Sequence, residues 1–565
     1  MPYRSPLAEL RFHLDHVAGF AQVAATERFA DATADTVDAV LSEAARLCDE
    51  VMAPLNRSGD LHPARLENGV VRTSPGFAEG YKAISEGGWV GLSASPDWGG
   101  AGLPLTIATA VNDMMSGACL ALQLNPLLSQ GQIEALERHG SPEMQRIYLP
   151  RLVSGEWSGT MNLTEPQAGS DVGALRTRAE PAGDGTYRIT GEKIYISWGD
   201  ADFLPNVCHM VLARLPDGAP GTKGISLFMV PRNLPDGDGN PGPRNSLRVL
   251  KLEHKMGLHG SPTAVMAYEG ATGWLVGAPH AGMAAMFTMM NNARLGVGVQ
   301  GIGIAEAAFQ QALDWATTRK QGRVEGSGAI IEHADVRRML ATMKADLFAA
   351  RAIALDCAVA LDMANATQDP QWTARAAFLT PIAKAFGTDT GHDMAQLGLQ
   401  IHGGMGFIEE TGAAQFARDV RVTQIYEGTN GIQALDLVGR KLSDNGEAAF
   451  RLLDEVERVA QAARESHPHL AEPVWQAAET LREATDWLLS HPADRGAGAV
   501  PYLRAFARVL GARAHLQAAL AGDGARQRLA AFYIRRLLPE HACLLAQARD
   551  GAEAVMALTP ADLDT

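Results

Sequence analysis

Asn162-Leu163-Thr164-Glu165-Pro166-Gln167-Ala168-Gly169-Ser170-Asp171 marks the point where the character of the chain changes. Pro166 and Gly169 prevent a regular helix or strand across it. An irregular backbone of this kind points several N–H groups at one anion or carbonyl oxygen, and Thr164 and Ser170 add hydroxyl donors. Before it, residues 1–157 read as a helical domain. Between Thr36 and Met52, apolar Val37, Val40, Leu41, Ala44, Leu47, Cys48, Val51 and Met52 recur at i, i+3, i+4 spacing, and Asn56-Arg57-Ser58-Gly59 is expected to close that helix. A second apolar helix is expected from Leu105 to Leu124, after the glycine-rich loop 98–104. After the opening stretch, from Thr160 to about Val276, the apolar period is close to two. Tyr187 to Ser197 reads as two strands around a Gly191-Glu192 turn, and 207–213 and 224–231 read as apolar strands. Leu234 to Pro243 reads as a loop. Residues 158–278 are therefore expected to form a middle β domain. From Gly282 to Leu442 long helices return, giving a helical domain over 279–445. Ser443-Asp444-Asn445-Gly446 reads as a linker, and 446–565 as an extra C-terminal helical domain. The fold class is mainly α with a central β domain.

At 565 residues the chain is long enough for several domains. Hydrophobic content of 46% with 20% charged residues is ordinary for a globular protein. No uninterrupted apolar stretch is expected to span a bilayer. The start, Met1 to Arg11, lacks the apolar core of a secretion signal, and the end at Thr565 is not a peroxisomal address. Cys48, Cys119, Cys208, Cys357 and Cys543 are scattered, which argues against zinc and against a disulfide framework and places the protein in a reducing cytoplasm. A net charge of −15 argues against a general nucleic-acid or anionic-membrane binder.

A second stretch, Gln424-Ile425-Tyr426-Glu427-Gly428-Thr429-Asn430-Gly431, sets one carboxylate beside small residues that let a ligand reach the backbone. Alone, Glu427 reads as a surface charge. Lys193-Ile194-Tyr195-Ile196-Ser197-Trp198 alone is a half-buried strand, Arg294 in Asn291-Asn292-Ala293-Arg294 a solvated or ion-paired helical residue, and Gly403, Gly404 and Gly406 a helix stop.

Together, the Thr164–Asp171 and Glu427–Gly431 runs closely resemble the two signatures of the acyl-CoA dehydrogenase family, and the likeness extends over roughly residues 35–442. The resemblance implies an N-terminal helical domain, a β-barrel-like middle domain and a four-helix bundle, with FAD as cofactor. It implies that Glu427 takes an α-proton from an acyl-CoA thioester while FAD takes a hydride from the β-carbon. The product is a trans-2-enoyl-CoA, and an electron-transferring flavoprotein reoxidises the flavin. By the same resemblance Met161, Leu163, Thr164 and Gly169 belong to the flavin site, and Ser170 reaches the flavin phosphates or the acyl-CoA. Tyr195, Ile196 and Ser197 cover one flavin face, where the family usually has Trp and Thr at positions 195 and 197 and often Asn at 198. Arg294, with Asn291 and Gly428, faces the acyl group. Some members carry their base just before this Arg, as Glu. Here that residue is Ala293, which leaves Glu427 as the candidate. Arg319 and Gln321 resemble a segment that contacts FAD across a subunit interface, and Gln400, Gly403 and Gly404 a run that receives FAD from the neighbouring subunit. Thr429 and Gly431 complete the cofactor contacts. A homodimer or higher homo-oligomer follows as the active form, with no nucleic acid, metal or membrane partner.

Trp157 to Pro166, Glu253 to Gly257, Gly273 to Gly277, Met286 to Asn291 and Gly431 to Lys441, with the extra C-terminal block, are similar to the 3-(methylthio)propanoyl-CoA dehydrogenase branch of the family. A short or medium acyl-CoA is the implied substrate, and the methionines of 283–290 are candidates for its pocket. Three rivals stay open: an acyl-CoA oxidase with the same base, a flavin-bearing DNA-binding relative, and a helical protein without activity. Residues 495–536 hold eight arginines and one acid, Asp523, although the block from 446 onward carries 13 Arg and 16 Asp plus Glu.

Overall fold

The computed structural model describes residues 3–323 and 325–564. Met1 and Pro2 of the opening segment, and Thr565 of the closing one, lie outside the described residues. In chain order, α1 (Leu7–His16) and α2 (Ala34–Arg46) precede a π-helical turn (Leu47–Met52), α3 (Ala53–Leu61) and α4 (Leu105–His139). Seven strands make the sheet of the middle region: β1 (Trp157–Asn162), β2 (Arg178–Pro181), β3 (Tyr187–Ser197), β4 (Asn206–Arg214), β5 (Ile225–Pro231), β6 (Leu247–Leu252) and β7 (Thr263–Val276). Helices resume with α5 (Gly282–Thr318), α6 (Ala334–Thr367), α7 (Pro370–His402) and α8 (Asn430–Asp436). The C-terminal block carries α9 (Glu447–Ala463), α10 (Pro468–Ser490), α11 (Arg495–Ala521) and α12 (Glu540–Arg549). This helix–sheet–helix order is the fold class expected from the sequence.

Two compact units share the chain, each drawing on separated segments: Met1–Ser42, Pro104–Gly117 and Arg294–Thr565 in the first, Glu43–Leu103 and Ala118–Ala293 in the second. In the second unit the strand pairing closes on itself. β7 pairs with β3 and β5, β5 with β4, β4 with β2, and β2 with β3, while β6 and β1 flank β7 and β4. Among the described residues closure leaves only β6 and β1, each paired on one side, as edges of this sheet. It also explains why β4 and β5 read as unbroken apolar runs, since nearly every residue in them is buried. Ile189, Ile196, Val211, Phe228, Val230, Met266 and Tyr268 form the centre of this core.

Four local expectations are corrected. Tyr187–Ser197 is one strand, not two around a turn. A Cβ on Gly191 would stand 2.4 Å from Thr177 Oγ1 and 2.9 Å from Thr177 Cα, so this glycine serves a close approach between chains. Within 234–243, the short strands Asn233–Pro235 and Pro241–Arg244 pair as a hairpin. Asn56–Gly59 does not close the helix read from Thr36 to Met52, because the helical run passes through the π turn into α3 and continues to Leu61. Gly59 there lies against Phe77, whose Cζ would be 2.8 Å from an added Cβ, so packing overrides the local stop signal. Finally, α4 runs well beyond Leu124, broken only at Cys119 (φ −159°, ψ 89°), and is long and apolar enough to cross a membrane. Its most apolar window is 94% buried within the fold, which is the signature of a core helix.

In the first unit, α5, α6 and α7 share a single hydrophobic core with α9, α10 and α11, running from Leu295 through Phe378 and Leu452 to Phe506. α5 and α7 meet through glycines: added Cβ atoms on Gly301 and Gly391 would come within 2.3 Å of Gly387 O and 2.5 Å of Gly301 O. Only glycine permits that spacing. Residues 443–446 form the turn before α9, where Asp444 accepts from the Gly446 and Ala448 N–H groups. Buried ion pairs stitch the C-terminal block to the bundle. Arg513 donates to Asp356 (2.5 Å) and Glu455 (2.9 Å), and Arg508 to Asp346 and to Glu540 (2.6 Å). Arg526 reaches Glu9 of α1 at 2.6 Å. Four of the eight arginines of 495–536, Arg504, Arg508, Arg513 and Arg526, are thus paired with internal acids.

Candidate active site

The segment between the 3₁₀ turn Arg421–Gln424 and α8 is left-handed at its apex. Glu427 has φ +56° and Gly428 φ +86°. Glycine accepts that conformation freely, whereas for Glu it costs on the order of 1–2 kcal/mol. The surroundings hold it. Gln433, fully buried, donates from Nε2 to the Glu427 and Gly428 carbonyls at 3.3 and 3.4 Å. Tyr426 donates its hydroxyl to Gln300 Oε1 at 2.5 Å. Thr429 caps α8 by accepting from the Ile432 N–H at 3.2 Å. Among the described residues the Glu427 N–H has no protein acceptor.

Two buried cations act on the Glu427 carboxyl: Arg294 from α5 and Lys384 from α7. Burial raises the Glu427 pKa to about 7, against the pull of Arg294 and Lys384. Burial lowers Lys384 to about 7, against the pull of Asp389 and Glu427. Arg294 is steadied by Asp436, 3.7 Å from its Nη1, which also accepts from Arg440 at 2.5 Å. A half-buried carboxyl poised near neutrality, beside two cations and an open backbone N–H, can accept a proton and stabilise an anion next to it.

In the second unit the Thr164 loop is fastened to β3. Lys193 donates to Leu163 O at 2.8 Å and to Glu165 Oε1 at 2.9 Å, and the Ile194 N–H to Thr164 O at 2.9 Å. Glu165 also accepts from the Arg176 and Thr177 N–H groups at 2.6 and 3.0 Å and from the Thr177 hydroxyl at 2.6 Å. Burial alone would raise its pKa, but Lys193 and these donors bring it down to about 2. Leu163 and Thr164 are thereby set beside the strand that carries Tyr195, Ile196 and Ser197. Met161 and Ile196 are buried, Gly169 and Ser170 are exposed, and the Tyr195 side chain is 62% exposed at φ +61°. Trp198 is fully buried and donates to Ala121 O at 3.1 Å. Asn291 is exposed near the start of α5. Met289 packs on Gly131, and Met286 and Met290 are buried, so these methionines belong to the core of the second unit.

Back in the first unit, Trp315 stacks on His402 with ring centres 5.2 Å apart, and the Arg319 guanidinium lies 5.6 Å from the Trp315 ring. This joins the Arg319 segment to the Gln400–Gly404 run. Gln321 accepts from His333 at 2.9 Å through its carbonyl. Arg319, Gln321, Gln400, Gly403 and Gly404 are exposed, and Phe407, just beyond them, is 91% exposed. Thr429 and Gly431 lie at the head of α8, half-buried, on the same turn as the base. Glu409 is tied to Arg418 at the surface. Sequence reading missed Lys384, Asp389, Asp436 and the Glu165–Lys193 pair. An apolar helix carrying a lone Lys, as at Ile382-Ala383-Lys384-Ala385-Phe386, is the one signal that pointed to a buried cation.

Comparison with known proteins gives family matches between residues 34 and 559. Residues 34–156, 160–271 and 280–442 match the N-terminal, middle and C-terminal domains of acyl-CoA dehydrogenase, and 452–559 match the acetyl-CoA dehydrogenase C-terminal-like domain. The 3-methylmercaptopropionyl-CoA dehydrogenase of Ruegeria pomeroyi is 44% identical over 523 residues, 89% of this chain and 88% of the relative. The broad-specificity linear acyl-CoA dehydrogenase FadE5 of Mycobacterium tuberculosis is 34% identical, covering 81% and 79%. The crystal structure of Caenorhabditis elegans ACDH-11 in complex with C11-CoA has a TM-score of 0.81 at 21% identity, covering 99% of this chain and 96% of that one, and so shares the fold.

Proposed function

The chain belongs to the acyl-CoA dehydrogenase family and is an enzyme of that class, and on that premise we propose that it oxidises a short or medium acyl-CoA at its α,β-carbons with Glu427 as the base. The observation that carries this reading is the Glu427 turn: a carboxyl raised to about 7, flanked by Arg294 and Lys384, next to its own unoccupied N–H. Glu427 removes the α-proton of the thioester. Its N–H, presented by the left-handed turn, donates to the thioester carbonyl as negative charge develops there. Gly428 leaves room for that approach, and Arg294, Asn291 and Ser170 hold the acyl-CoA. FAD, when bound, supplies the hydride acceptor.

The residues fit that cofactor. The fastened Leu163–Thr164 loop, the open Gly169 and Ser170, and the exposed Tyr195 ring beside Ile196 and Ser197 offer donors and an aromatic plane. With Met161, they are assigned to the flavin, as are Thr429 and Gly431. Arg319, Gln321, Gln400, Gly403 and Gly404 are assigned to FAD of a second copy. The exposure of Met405, Phe407 and Ile408 next to Gly404 supports a homodimer as the smallest active form. A fully active monomer in light scattering overturns that assignment. We keep the domain limits 1–157, 158–278, 279–445 and 446–565, a cytoplasmic setting, and an electron-transferring flavoprotein as acceptor.

The likeness to the Ruegeria enzyme makes 3-(methylthio)propanoyl-CoA the named candidate substrate. A thioether is nearly isosteric with a methylene, and one methylene changes binding by only about 1–3 kcal/mol. Butanoyl- and pentanoyl-CoA are therefore expected to react as well. An acyl-CoA panel with a dye acceptor tests this: a sharp peak at long chains, with short ones inert, overturns the substrate assignment. Turnover with oxygen alone identifies an oxidase instead.

A further inference from the structure

One carboxylate oxygen ties both ends of the Glu427 turn. Asp389 Oδ1 accepts from Gln424 Nε2 and from Asn430 Nδ2, each at 2.7 Å, three residues before and three after the base. Asn430 is gripped from its other side by the same helix. Its Oδ1 accepts from Lys384 Nζ at 2.8 Å and from the Thr388 hydroxyl at 3.3 Å, and its Nδ2 also donates to Thr388 Oγ1 at 3.0 Å. Gln424 is in turn held by Arg421 Nη1 at 2.9 Å. Lys384 and Thr388 are fully buried, so water does not replace these bonds. Between the two ties lie the left-handed residues Glu427 and Gly428. A non-glycine residue keeps that backbone only when its surroundings over-determine it.

We propose that Asp389 is a positioning residue for the base: by bridging Gln424 and Asn430 it locks the left-handed turn that presents the Glu427 carboxyl and N–H. This rests on Glu427 being the base. Asp389 also acts through charge. The groups facing Glu427 are Arg294 from α5, Lys384 from α7 and the neighbouring Tyr426; those facing Lys384 are Asp389, Glu427 and Arg294. Asp436 and Arg440 on the far side act on Arg294. The negative charge of Asp389 favours protonated Lys384, and protonated Lys384 favours ionised Glu427. Removing that charge lets Lys384 shed its proton sooner, deprives Glu427 of a cation and raises its pKa. The acidic limb of the rate profile then moves to higher pH.

The test uses purified flavin-loaded protein in anaerobic stopped-flow with butanoyl-CoA across pH, for wild type, Glu427→Gln, Asp389→Ala and Asp389→Asn. Amide hydrogen exchange of residues 424–430 is followed in each protein before flavin is added. Asp389→Ala is expected to lose on the order of 10²-fold in flavin reduction, with unchanged butanoyl-CoA binding, faster exchange in the turn and an acidic limb displaced upward. Asp389→Asn keeps an acceptor oxygen, so it loses less rate but shows the same displacement. Wild-type rate, limb and exchange in Asp389→Ala overturn the proposal while the base assignment stands. If Asp389→Ala does not fold, an undisplaced limb in Asp389→Asn overturns it. Glu427→Gln reducing flavin at wild-type speed overturns the base assignment and the brace with it.

Discussion

At the scale of single residues, protonation decides the outcome. A protonated Glu427 cannot accept a proton, so flavin reduction should climb as pH rises through about 7, where the half-buried carboxyl ionises. Glu427→Gln should lower the reduction rate by about 10²–10⁴-fold while acyl-CoA still binds, as read by stopped-flow and by the spectral change on ligand addition. Glu165 has the opposite sign. Its folded pKa, about 2, is below the ordinary 4.5, so it stabilises the second unit above 4.5 and that contribution is lost as pH falls toward 2. Lys193→Met leaves this buried carboxylate short of its cation. It should destabilise by about 3 kcal/mol, seen as a lower denaturant midpoint and as acid unfolding at higher pH. Glu427 stood out in the sequence only because its run and the distant Thr164–Asp171 run together resemble the two family signatures; alone it reads as a surface charge. Asp389 and Lys384 did not stand out, because their partners lie 41 and 46 positions away and no local pattern encodes such pairs.

Between elements, spacing is set by what the side chains leave out. α5, which carries Arg294, and α7, which carries Lys384 and Asp389, approach through Gly298, Gly301, Gly387 and Gly391. A Cβ on Gly387 would lie 2.5 Å from Gly298 O. Gly387→Val should therefore force the helices apart, costing about 1–3 kcal/mol and lowering the melting temperature together with flavin reduction. Gly439→Ala, whose Cβ would meet nothing within 4 Å, is the control and should leave both unchanged. Periodicity gave the sheet and most helices correctly because apolar faces repeat locally. It failed at Gly191 and at Asn56–Gly59, where residues that usually mark turns instead admit Thr177 and Phe77 into close contact. A glycine's reason for being small lies in a partner that the sequence does not place beside it.

For the whole molecule, the C-terminal block is part of the core rather than an appendage. Arg508 and Arg513 are buried against Asp346, Asp356, Glu455 and Glu540. With four of the eight arginines of 495–536 paired to internal acids and a net charge of −15, duplex DNA should show no salt-sensitive retention on the protein. Tight, salt-dependent binding would show that Arg528, Arg535 and Arg536, which stay exposed, suffice. The pairing of Glu9 with Arg526 has a different kind of consequence. The two residues are 517 positions apart, so this tie forms only after almost the entire chain has left the ribosome, whereas the contacts of α1 with Lys344 and Phe348 of α6 can form earlier. At ~5–20 residues per second that wait is roughly half a minute to two minutes. During synthesis the earliest helix is therefore held by α6 alone for part of that time. Nascent chains arrested near residue 460, which lack Arg526, should leave α1 more open to protease than the released protein does.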